Sequence, residues 1–447
     1  MKSSGRRMTK WVFCCNLFMS MFFNPKKLAG AAIIVMVLWG SALAAEEKAA
    51  PAGALDLWQC YQKAVRQSET VAISEEGIKQ AEEQYRQAWS GIPPRLSFGW
   101  QEIYQDPTHN KLRTGQGTVN LHLPALTGFR EMAAMKSAKT LTRQKELETK
   151  WARQNILSDV AQAFWNVVEV ENQIQVTKSQ QKLMQDRIKE LSERERIGRS
   201  REAEVVAAQS QLAQLEANQE DLERVRVAGR ELLAFLTGAE KDIPLIDSIP
   251  LPGEPRDLAV YLDTARQRPD LLALRESQEI AQAAVKLAKS GHYPSLSLDG
   301  NYYVEGGGGS QGTAKWDVVA ALEVPIYSWG QVQSSVRQAN SQVLITGLAL
   351  KRQERQVETD VKSAWENLRA SLSELAKYEK VVTLADRNSK LQSADYRRGL
   401  VTNLDVIQAL TGLYDATLRR DQSRFNAKLS SILLRIATGD IPEGVNP

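Results

Sequence analysis

The sequence predicts an α+β membrane protein that combines long, coiled-coil-like α-helical hairpins with four β-strands per chain. Three observations predict this fold. The 447 residues contain two copies of one unit. Each copy has a long stretch without proline, residues 125–243 and 326–441, and such stretches permit long helices. Each copy also has two segments of alternating apolar and polar residues, with the length of strands in membrane barrels.

The repeat is visible at a nearly constant offset. Eight residues within Glu76–Ser97 recur 200 positions later within Glu276–Ser297. Farther along the chain the offset is 201, and it maps Gly198 onto Gly399. A fixed period of this kind indicates two copies of one structural unit.

The repeat defines the domain organisation that we expect. The first unit covers residues 55–240 and the second covers residues 256–440. Residues 241–255 contain four prolines and suit an extended connector. In each unit we expect a helix, two strands, a long helix and a return helix, in that order.

The helices of the first unit follow from glycine and proline. Glycine is absent from 129–197, so we expect one helix from about 127 to 196. Gly198 then marks the turn of a hairpin whose return helix covers 201–237. The return helix is about half as long as its partner, and a helix over 56–90 supplies the missing length. Gly399 marks the same turn in the second unit.

The four predicted strands each have one apolar face. Aromatic residues cluster at their ends, as they do at both interfaces of a membrane barrel. The alternating apolar positions are Leu96, Phe98 and Trp100, then Val119, Leu121 and Leu123, then Leu296 and Leu298, and finally Val318, Ala320, Leu322 and Val324. Prolines 93, 94, 124, 294 and 325 are expected at the junctions between strands and helices.

Four strands cannot close a barrel in a membrane, because the smallest membrane barrels have eight. Open strand edges are not tolerated in lipid. The sequence therefore implies an oligomer, with eight strands from two chains or twelve from three. The alternative is a soluble pair of hairpins that pack on the helices.

The N-terminal segment, residues 1–44, has the composition of a signal peptide. Two lysines precede an apolar run over Leu28–Leu38, and Ala-Leu-Ala at 42–44 has the spacing of a signal-peptidase site. We expect cleavage after Ala44 and export of the mature chain. The alternative is an uncleaved anchor, because the mostly apolar run extends to Ala45.

Charge and cysteine content exclude several function classes. The leader holds six Lys or Arg and no acid, which leaves 51 basic and 53 acidic residues in the body. The body has no basic excess for binding nucleic acid. Two of the three cysteines lie in the leader, so Cys60 alone can form neither an intrachain disulfide nor a thiolate metal cage. The three histidines are scattered, and we expect no cofactor.

Four stretches, taken with the duplicated unit, carry a resemblance to a known family. They are Tyr-Pro-Ser-Leu-Ser-Leu at 293–298, Val-Pro-Ile-Tyr-Ser-Trp-Gly at 324–330, Arg-Pro-Asp-Leu at 268–271, and Tyr-Arg-Arg-Gly-Leu-Val-Thr-Asn-Leu-Asp-Val at 396–406. The chain resembles the TolC-type outer membrane efflux proteins over essentially all of 50–440. The resemblance implies a homotrimer with a twelve-strand barrel in the outer membrane lipid and a helical tunnel across the periplasm. It also implies a periplasmic adaptor protein and an inner-membrane pump as partners.

The same resemblance implies a gate at the helical tip. Asp405 matches a constriction aspartate of the family, Tyr396 matches a tyrosine that links the tip helices, and Gln408 stands where a second aspartate is often found. Glu204 is the partner of Asp405 in the first copy, at offset 201. The two tip turns are the expected docking surface for the adaptor: Gly198, Arg199, Arg398, Gly399, Leu400 and Thr402. Val401 replaces a linking arginine, for which Arg199 or Arg201 could substitute.

Helical geometry suggests where Asp405 points. It lies within the first turns after Gly399, less than about 10 Å from the tip at ~1.5 Å per residue. Around the helix axis, Asp405 is rotated by about 100° from Val406. When Val406 packs against neighbouring helices, Asp405 can therefore point toward the bore. Three symmetry copies would then crowd three carboxylates, favour cation binding and raise their pKa values. The alternative is that Asp405 only caps the start of its helix.

The sequence contains no nucleophile, zinc or phosphate-binding motif, so we expect no enzymatic activity. The function that fits is a passive exit duct of an efflux or secretion system, for small molecules or polypeptides. The alternative is a periplasmic coiled-coil adaptor or scaffold held by an uncleaved N-terminal helix. The paired strands favour the duct, because an adaptor does not need them.

Overall fold

The computed structural model describes residues 54–105, 112–306 and 315–441. The predicted signal peptide, residues 1–44, lies outside this part of the chain. None of the helices in the described ranges has both the length and the apolar character needed to span a membrane.

The two copies have the same order of helices and strands. The first copy consists of α1 Leu57–Gln67, α2 Glu69–Trp89, β1 Arg95–Gln105, β2 Leu112–Thr127, α3 Arg130–Arg196 and α4 Glu202–Thr237. The second consists of α5 Leu258–Ala265, α6 Pro269–Lys289, β3 Ser295–Gly306, β4 Trp316–Glu323, α7 Gln331–Arg397 and α8 Asn403–Thr438. The long helices α3 and α7 have 67 residues each, which corresponds to about 100 Å at the helical rise.

The single helix expected over 56–90 is two helices. Ser68 ends α1 and begins α2, where its hydroxyl accepts a hydrogen bond from the N–H of Val71 at 3.4 Å. A serine at such a break satisfies one free N–H of the new helix. The second copy breaks at the equivalent position, between α5 and α6, where Pro269 starts α6.

Seven-residue spacing organises the hairpins. Buried residues on α7 recur at multiples of seven: Val361, Leu368, Leu375, Ser389 and Tyr396. A heptad repeat keeps one stripe of a helix against its neighbour and is the signature of a left-handed coiled coil. Helix α7 packs along α8, and α3 packs along α4. The predicted coiled-coil-like hairpins are confirmed.

The helices form one layer with a fixed order. In the half next to the sheet, the order is α2, α3, α6 and α7. In the half next to the turns at Gly198 and Gly399, α4 packs on α3, α3 on α8, and α8 on α7. Helix α3 is therefore internal to the layer, whereas α2, α4 and α7 are at its edges. The largest apolar cluster lies where the halves meet, around Tyr61, Phe164, Trp165 and Ile436.

The four strands form one antiparallel sheet in the order β1-β2-β3-β4. Alternation separates its two faces. One cross-strand row contains Leu96, Leu121, Gly300 and Val318, and the next row, on the other face, contains Arg95, His122, Asp299 and Val319. The polar face is hydrogen-bonded across strands, because His122 Nδ1 lies 2.6 Å from Asp299 Oδ1.

Pro124 lies inside β2 rather than at the expected strand–helix junction. The β2–β3 register shifts between Pro124 and Leu126, and a bulge of this kind tolerates a residue without an N–H. The junction itself falls at Gly128, whose φ is +61°. A Cβ atom there would lie 2.8 Å from the carbonyl oxygen of Ser290, so the junction requires glycine.

Candidate functional site

Two matching turns form the tip of the helical layer. Gly198 and Gly399 have φ of +71° and +77°, the left-handed conformation that closes a helix and favours glycine. The N–H of Arg199 donates to the carbonyl of Arg194 at 2.8 Å, and Leu400 donates to Asp395 at 3.0 Å. All six residues predicted for adaptor docking are exposed: Gly198, Arg199, Arg398, Gly399, Leu400 and Thr402.

Behind the turns, Tyr396 joins the two hairpins. Its position is set by packing, because it is the last buried residue of the heptad series on α7. The ring is 8% exposed, and the hydroxyl donates to Glu204 Oε2 on α4 at 3.1 Å. The predicted gate residues Tyr396 and Glu204 are therefore in direct contact.

Two arginines of α3 lie over the tyrosine ring. The guanidinium carbons of Arg187 and Arg194 are 4.0 and 5.0 Å from its centroid. A guanidinium over an aromatic face is attracted by the ring quadrupole, by about 0.5–2 kcal/mol depending on burial. Glu190 on α3 pairs with both arginines, at 2.7 and 3.0 Å.

Arg187 also binds the other hairpin through Asn403, the first residue of α8. Arg187 Nε donates to Asn403 Oδ1 at 3.0 Å, and Asn403 Nδ2 donates to the carbonyl of Glu204 at 3.2 Å. Arg187 is 7% exposed and Asn403 is 1% exposed. Together with the tyrosine contact, these bonds tie all four tip helices together. We call Arg187, Glu204, Tyr396 and Asn403 the tip latch.

Asp405 has a different role within the chain from its repeat partner Glu204. Its Oδ2 accepts from the N–H and the hydroxyl of Thr402, at 2.8 and 2.6 Å, which caps the start of α8. At the start of α4 the position of Thr402 is occupied by Arg201, which makes no side-chain cap. The Glu204 carboxylate is thus available for the latch. Gln408 is exposed on α8 and lies outside the latch contacts described above.

Hydrogen bonds hold the carboxylates of Glu204 and Asp405 in the charged form. Burial alone would raise the pKa of Glu204, but hydrogen bonds from Ser200, Tyr396 and Arg201 outweigh it and lower that pKa. The hydrogen bonds from Thr402 lower the pKa of Asp405 within the single chain. Burial raises the pKa of the Tyr396 hydroxyl, so it stays protonated and able to donate. Arg199 and Arg201 were the two candidates to replace the linking arginine that is missing at position 401. Of these, Arg201 lies close to the tip latch, because its Nη2 is 3.5 Å from Glu204 Oε1.

Arg187 and Asn403 were not identified from the sequence as site residues. A signal for Arg187 is present, because it follows Met184 and precedes Leu191 at helical spacing on the buried stripe of α3. A charged residue on such a stripe needs a buried partner. Asn403 has no comparable signal, since asparagine is common at helix starts.

The chain is similar to one protein family and to several characterised proteins. The model of the outer membrane efflux protein family matches residues 60–239 and 260–440. The chain is 27% identical over 323 residues to the outer membrane protein TolC of Vibrio cholerae, covering 69% of this chain and 73% of that protein. It is 25% identical over 414 residues to TolC of Escherichia coli K12, covering 87% and 83%.

Several solved structures have the same fold. The structure of CusC superposes with a TM-score of 0.79 at 15% identity, over 86% of this chain and 92% of that one. The outer membrane protein VceC of Vibrio cholerae superposes with a TM-score of 0.76 at 19% identity, over 86% and 96%. At these identities the comparison establishes the fold, with long helical hairpins and a small four-stranded sheet.

Proposed function

The chain belongs to the outer membrane efflux protein family, and we infer that it is the outer membrane channel of a tripartite efflux or secretion system. It works as a homotrimer with a periplasmic adaptor and an inner-membrane pump. The sheet lies in the outer membrane and the helices lie in the periplasm. The family match over both copies carries this conclusion and favours the channel over a periplasmic adaptor.

The faces of the sheet support the placement of the strands. The apolar side chains Leu121 and Val318 share one face, and the pair His122–Asp299 lies on the other. Strands of a membrane barrel alternate in this way, with the apolar face toward lipid and the polar face toward the lumen. Three chains supply twelve strands, enough to close a barrel without open edges.

The tip latch is our candidate for the periplasmic gate. It joins helices of both hairpins at the end farthest along α3 and α7 from the sheet. If the tunnel is narrow at this end, it opens when the second hairpin moves away from the first. That movement breaks the Tyr396–Glu204 and Arg187–Asn403 contacts. Asp405 and Gln408, in the first two turns of α8, are proposed to line the narrow end.

The exposed turns are the proposed docking surface for the adaptor. They place Arg199 directly after Gly198 and Arg398 directly before Gly399, together with Leu400, the repeat partner of Arg199, whose side chain is 70% exposed. Three copies would present six such turns in a ring. A helical hairpin of the adaptor could contact these turns without entering the bore.

The chain itself is proposed to catalyse no reaction. Its family is a family of transport channels, and transport through such a duct needs only a continuous path and a gate. The energy for transport comes from the pump.

Two measurements test the function and the gate together. Fractionation of cells should recover the chain in the outer membrane, and recovery in the inner membrane would contradict the channel. In planar bilayers the purified trimer should form a channel of low conductance that multivalent cations block. Asp405→Asn keeps an oxygen that can cap α8 but removes the charge, and it should weaken the block. An unchanged block would remove Asp405 from the gate and leave it as a helix cap.

A further inference from the structure

Two strand–helix connections meet in the middle of the chain, where β2 leads into α3 and α6 leads into β3. They are in close contact, because a Cβ atom on Gly128 would lie 2.8 Å from both the carbonyl oxygen of Ser290 and the Cβ atom of Tyr293. The rings of Phe129 and Tyr293 meet edge to face, with centroids 6.4 Å apart. The side chains that flank this contact on α3 and α6 are therefore neighbours.

We call residues 128–130 and 286–293 the central junction, and three of its side chains are exposed cations. They are Arg130 at the start of α3, and Lys286 and Lys289 in the last turn of α6. Within the described ranges of the chain, none of these three side chains has an ion-pair or hydrogen-bond partner. Their charges are free to bind a group from outside the chain.

The acids nearest to these cations in sequence are engaged elsewhere. Glu131 accepts a hydrogen bond from the hydroxyl of Thr127. Glu279 Oε2 lies 4.0 Å from Lys136 Nζ and 3.9 Å from Arg143 Nη2. The central junction therefore has a surplus of positive charge, and clustered positive charge attracts an anion.

The repeat shows that this surplus is specific to the central junction. At the junctions on the two edges of the sheet, the equivalents of Lys289, Arg130 and Lys286 are Trp89, Gln331 and Arg86. Two of these equivalents are uncharged, and the third, Arg86, pairs with Glu83 at 2.8 Å. Free positive charge is thus concentrated at one place in each chain.

Exposed aromatic rings place the central junction at the border of the membrane. Phe129 and Tyr293 are 64% and 52% exposed, two residues beyond the end of β2 and two residues before the start of β3. Aromatic rings are favoured where hydrocarbon meets water. The sheet lies in the outer membrane and the helices lie in the periplasm, so the central junction is level with the headgroups of the periplasmic leaflet.

We propose that the central junction binds the headgroup of an anionic phospholipid from the periplasmic leaflet. Arg130, Lys286 and Lys289 hold the phosphate, because long basic side chains can reach a headgroup from the side of the protein. The surface continues onto the apolar face of the sheet, where Leu126 lies opposite Leu296. The acyl chains can lie on that face while the phosphate meets the cations.

This inference rests on the proposed placement of the sheet in the outer membrane. It adds the class of lipid that the chain selects and the residues that select it. Three chains provide three such sites in the trimer.

Native mass spectrometry of the purified trimer tests the site. Titration with dioleoylphosphatidylglycerol should show three tightly bound lipids per trimer, and zwitterionic dioleoylphosphatidylcholine should bind more weakly. Arg130→Gln/Lys289→Gln should weaken phosphatidylglycerol binding by roughly fivefold for each charge removed. Glycerol phosphate, which has the phosphate but no acyl chains, should not displace the lipid.

The matched control is Lys150→Gln/Lys182→Gln. It removes two exposed charges from the same helix, about 30 and 78 Å beyond Arg130 at ~1.5 Å per residue. This variant should bind phosphatidylglycerol as tightly as the unmodified protein. Circular dichroism and the trimer mass check that both variants fold and assemble.

The outcomes separate this inference from the proposed function. A trimer that binds both lipids equally, or whose affinity for phosphatidylglycerol falls no further in the junction variant than in the control, would overturn the lipid site and leave the channel intact. Displacement of the lipid by an equal concentration of glycerol phosphate would also overturn it, because the cations would then take a soluble phosphate. If the unmodified chain is absent from the outer membrane, the proposed function itself fails.

Discussion

A tyrosine hydroxyl and a carboxylate join the two hairpins at the tip, and the surroundings of each suit it to that role. Tyr396 is buried by heptad packing, and its hydroxyl is directed toward Glu204. Glu204 accepts from Ser200 at 2.7 Å as well as from the tyrosine, which fixes its carboxylate. Arg187 contacts both the ring of Tyr396 and Asn403 at the start of α8. Small changes at these residues should therefore alter the proposed gate and leave the fold intact.

The substitution Tyr396→Phe should weaken the closed state while keeping the ring under Arg187. It removes a hydrogen bond to a charged group, which contributes about 1.5–3 kcal/mol per chain. We expect larger and more frequent openings in single-channel recordings. Tyr378→Phe, on the same helix but farther from the turn, is the matched control and should behave as the unmodified protein. Equal conductance of the two variants would contradict the role of the latch.

The latch should also respond to pH in one direction. The pKa of Glu204 is lowered from 4.5 in the latched state, so its contribution is complete above about pH 4.5 and is lost as pH falls through the lower value. Conductance should be constant from about pH 8 to 5 and rise in more acid solution. Glu204→Gln should have raised conductance at neutral pH and lose most of the acid response. An acid response that persists in this variant would assign it to other groups.

At the scale of elements, one arginine holds the start of α6 against the long helices. Arg268 is 2% exposed, and its guanidinium donates to both carboxylate oxygens of Asp270, at 2.8 and 2.7 Å. It also donates to the carbonyl of Ala437 at 3.3 Å and lies 4.5 Å from the ring centroid of Trp151. The break between α5 and α6 is thereby tied to α3 and α8.

Removing this arginine should destabilise the fold strongly. Arg268→Ala leaves Asp270 without its main partner in a largely buried position, and breaking a buried pair costs about 3–5 kcal/mol. Arg275 lies on the same helix as Arg268 and forms a half-exposed ion pair with Glu354 of α7. Arg275→Ala removes this pair and should cost about 0–1 kcal/mol. Thermal unfolding followed by circular dichroism compares the two. Similar midpoints would contradict the anchoring role of Arg268.

The helices and strands were largely predictable because they depend on local patterns. Proline-free stretches and the glycine of the first tip turn placed α3 and α4 to within a few residues, and Gly399 placed the turn between α7 and α8. The break at Ser68 was not predicted, since serine is tolerated inside helices as well as at their starts. The position of Pro124 was misjudged because a bulge in β2 depends on the neighbouring strand.

The site was less predictable, because its contacts join residues far apart in sequence. Tyr396 was expected at the gate by resemblance and Glu204 by its repeat offset from Asp405, but Arg187 and Asn403 meet only once the hairpins pack. The capping of α8 by Asp405 was foreseen only as an alternative. The carboxylate that follows Thr402 in the second copy caps its helix, whereas the one that follows Arg201 in the first copy accepts from Ser200 and Tyr396.

For the whole molecule, the two faces of the sheet determine how it meets the membrane. Neighbouring residues on β4 provide a direct comparison, because Val318 and Val319 are the same residue type on opposite faces. Val318 is in the row of Leu121, and Val319 is in the row of Asp299. Both are exposed in the single chain, at 66% and 48%, so neither supports the chain's own core.

Val318→Arg should therefore block assembly, whereas Val319→Arg should be tolerated. An arginine facing lipid near the middle of a membrane barrel costs about 2–4 kcal/mol per chain, and the trimer incurs this cost three times. An arginine in the lumen stays hydrated and lies beside Asp299. The amount of trimer in the outer membrane fraction, measured by electrophoresis without boiling, distinguishes the two variants. If Val319→Arg is the one that fails to assemble, the polar face is turned toward lipid and the assignment of the two faces is reversed.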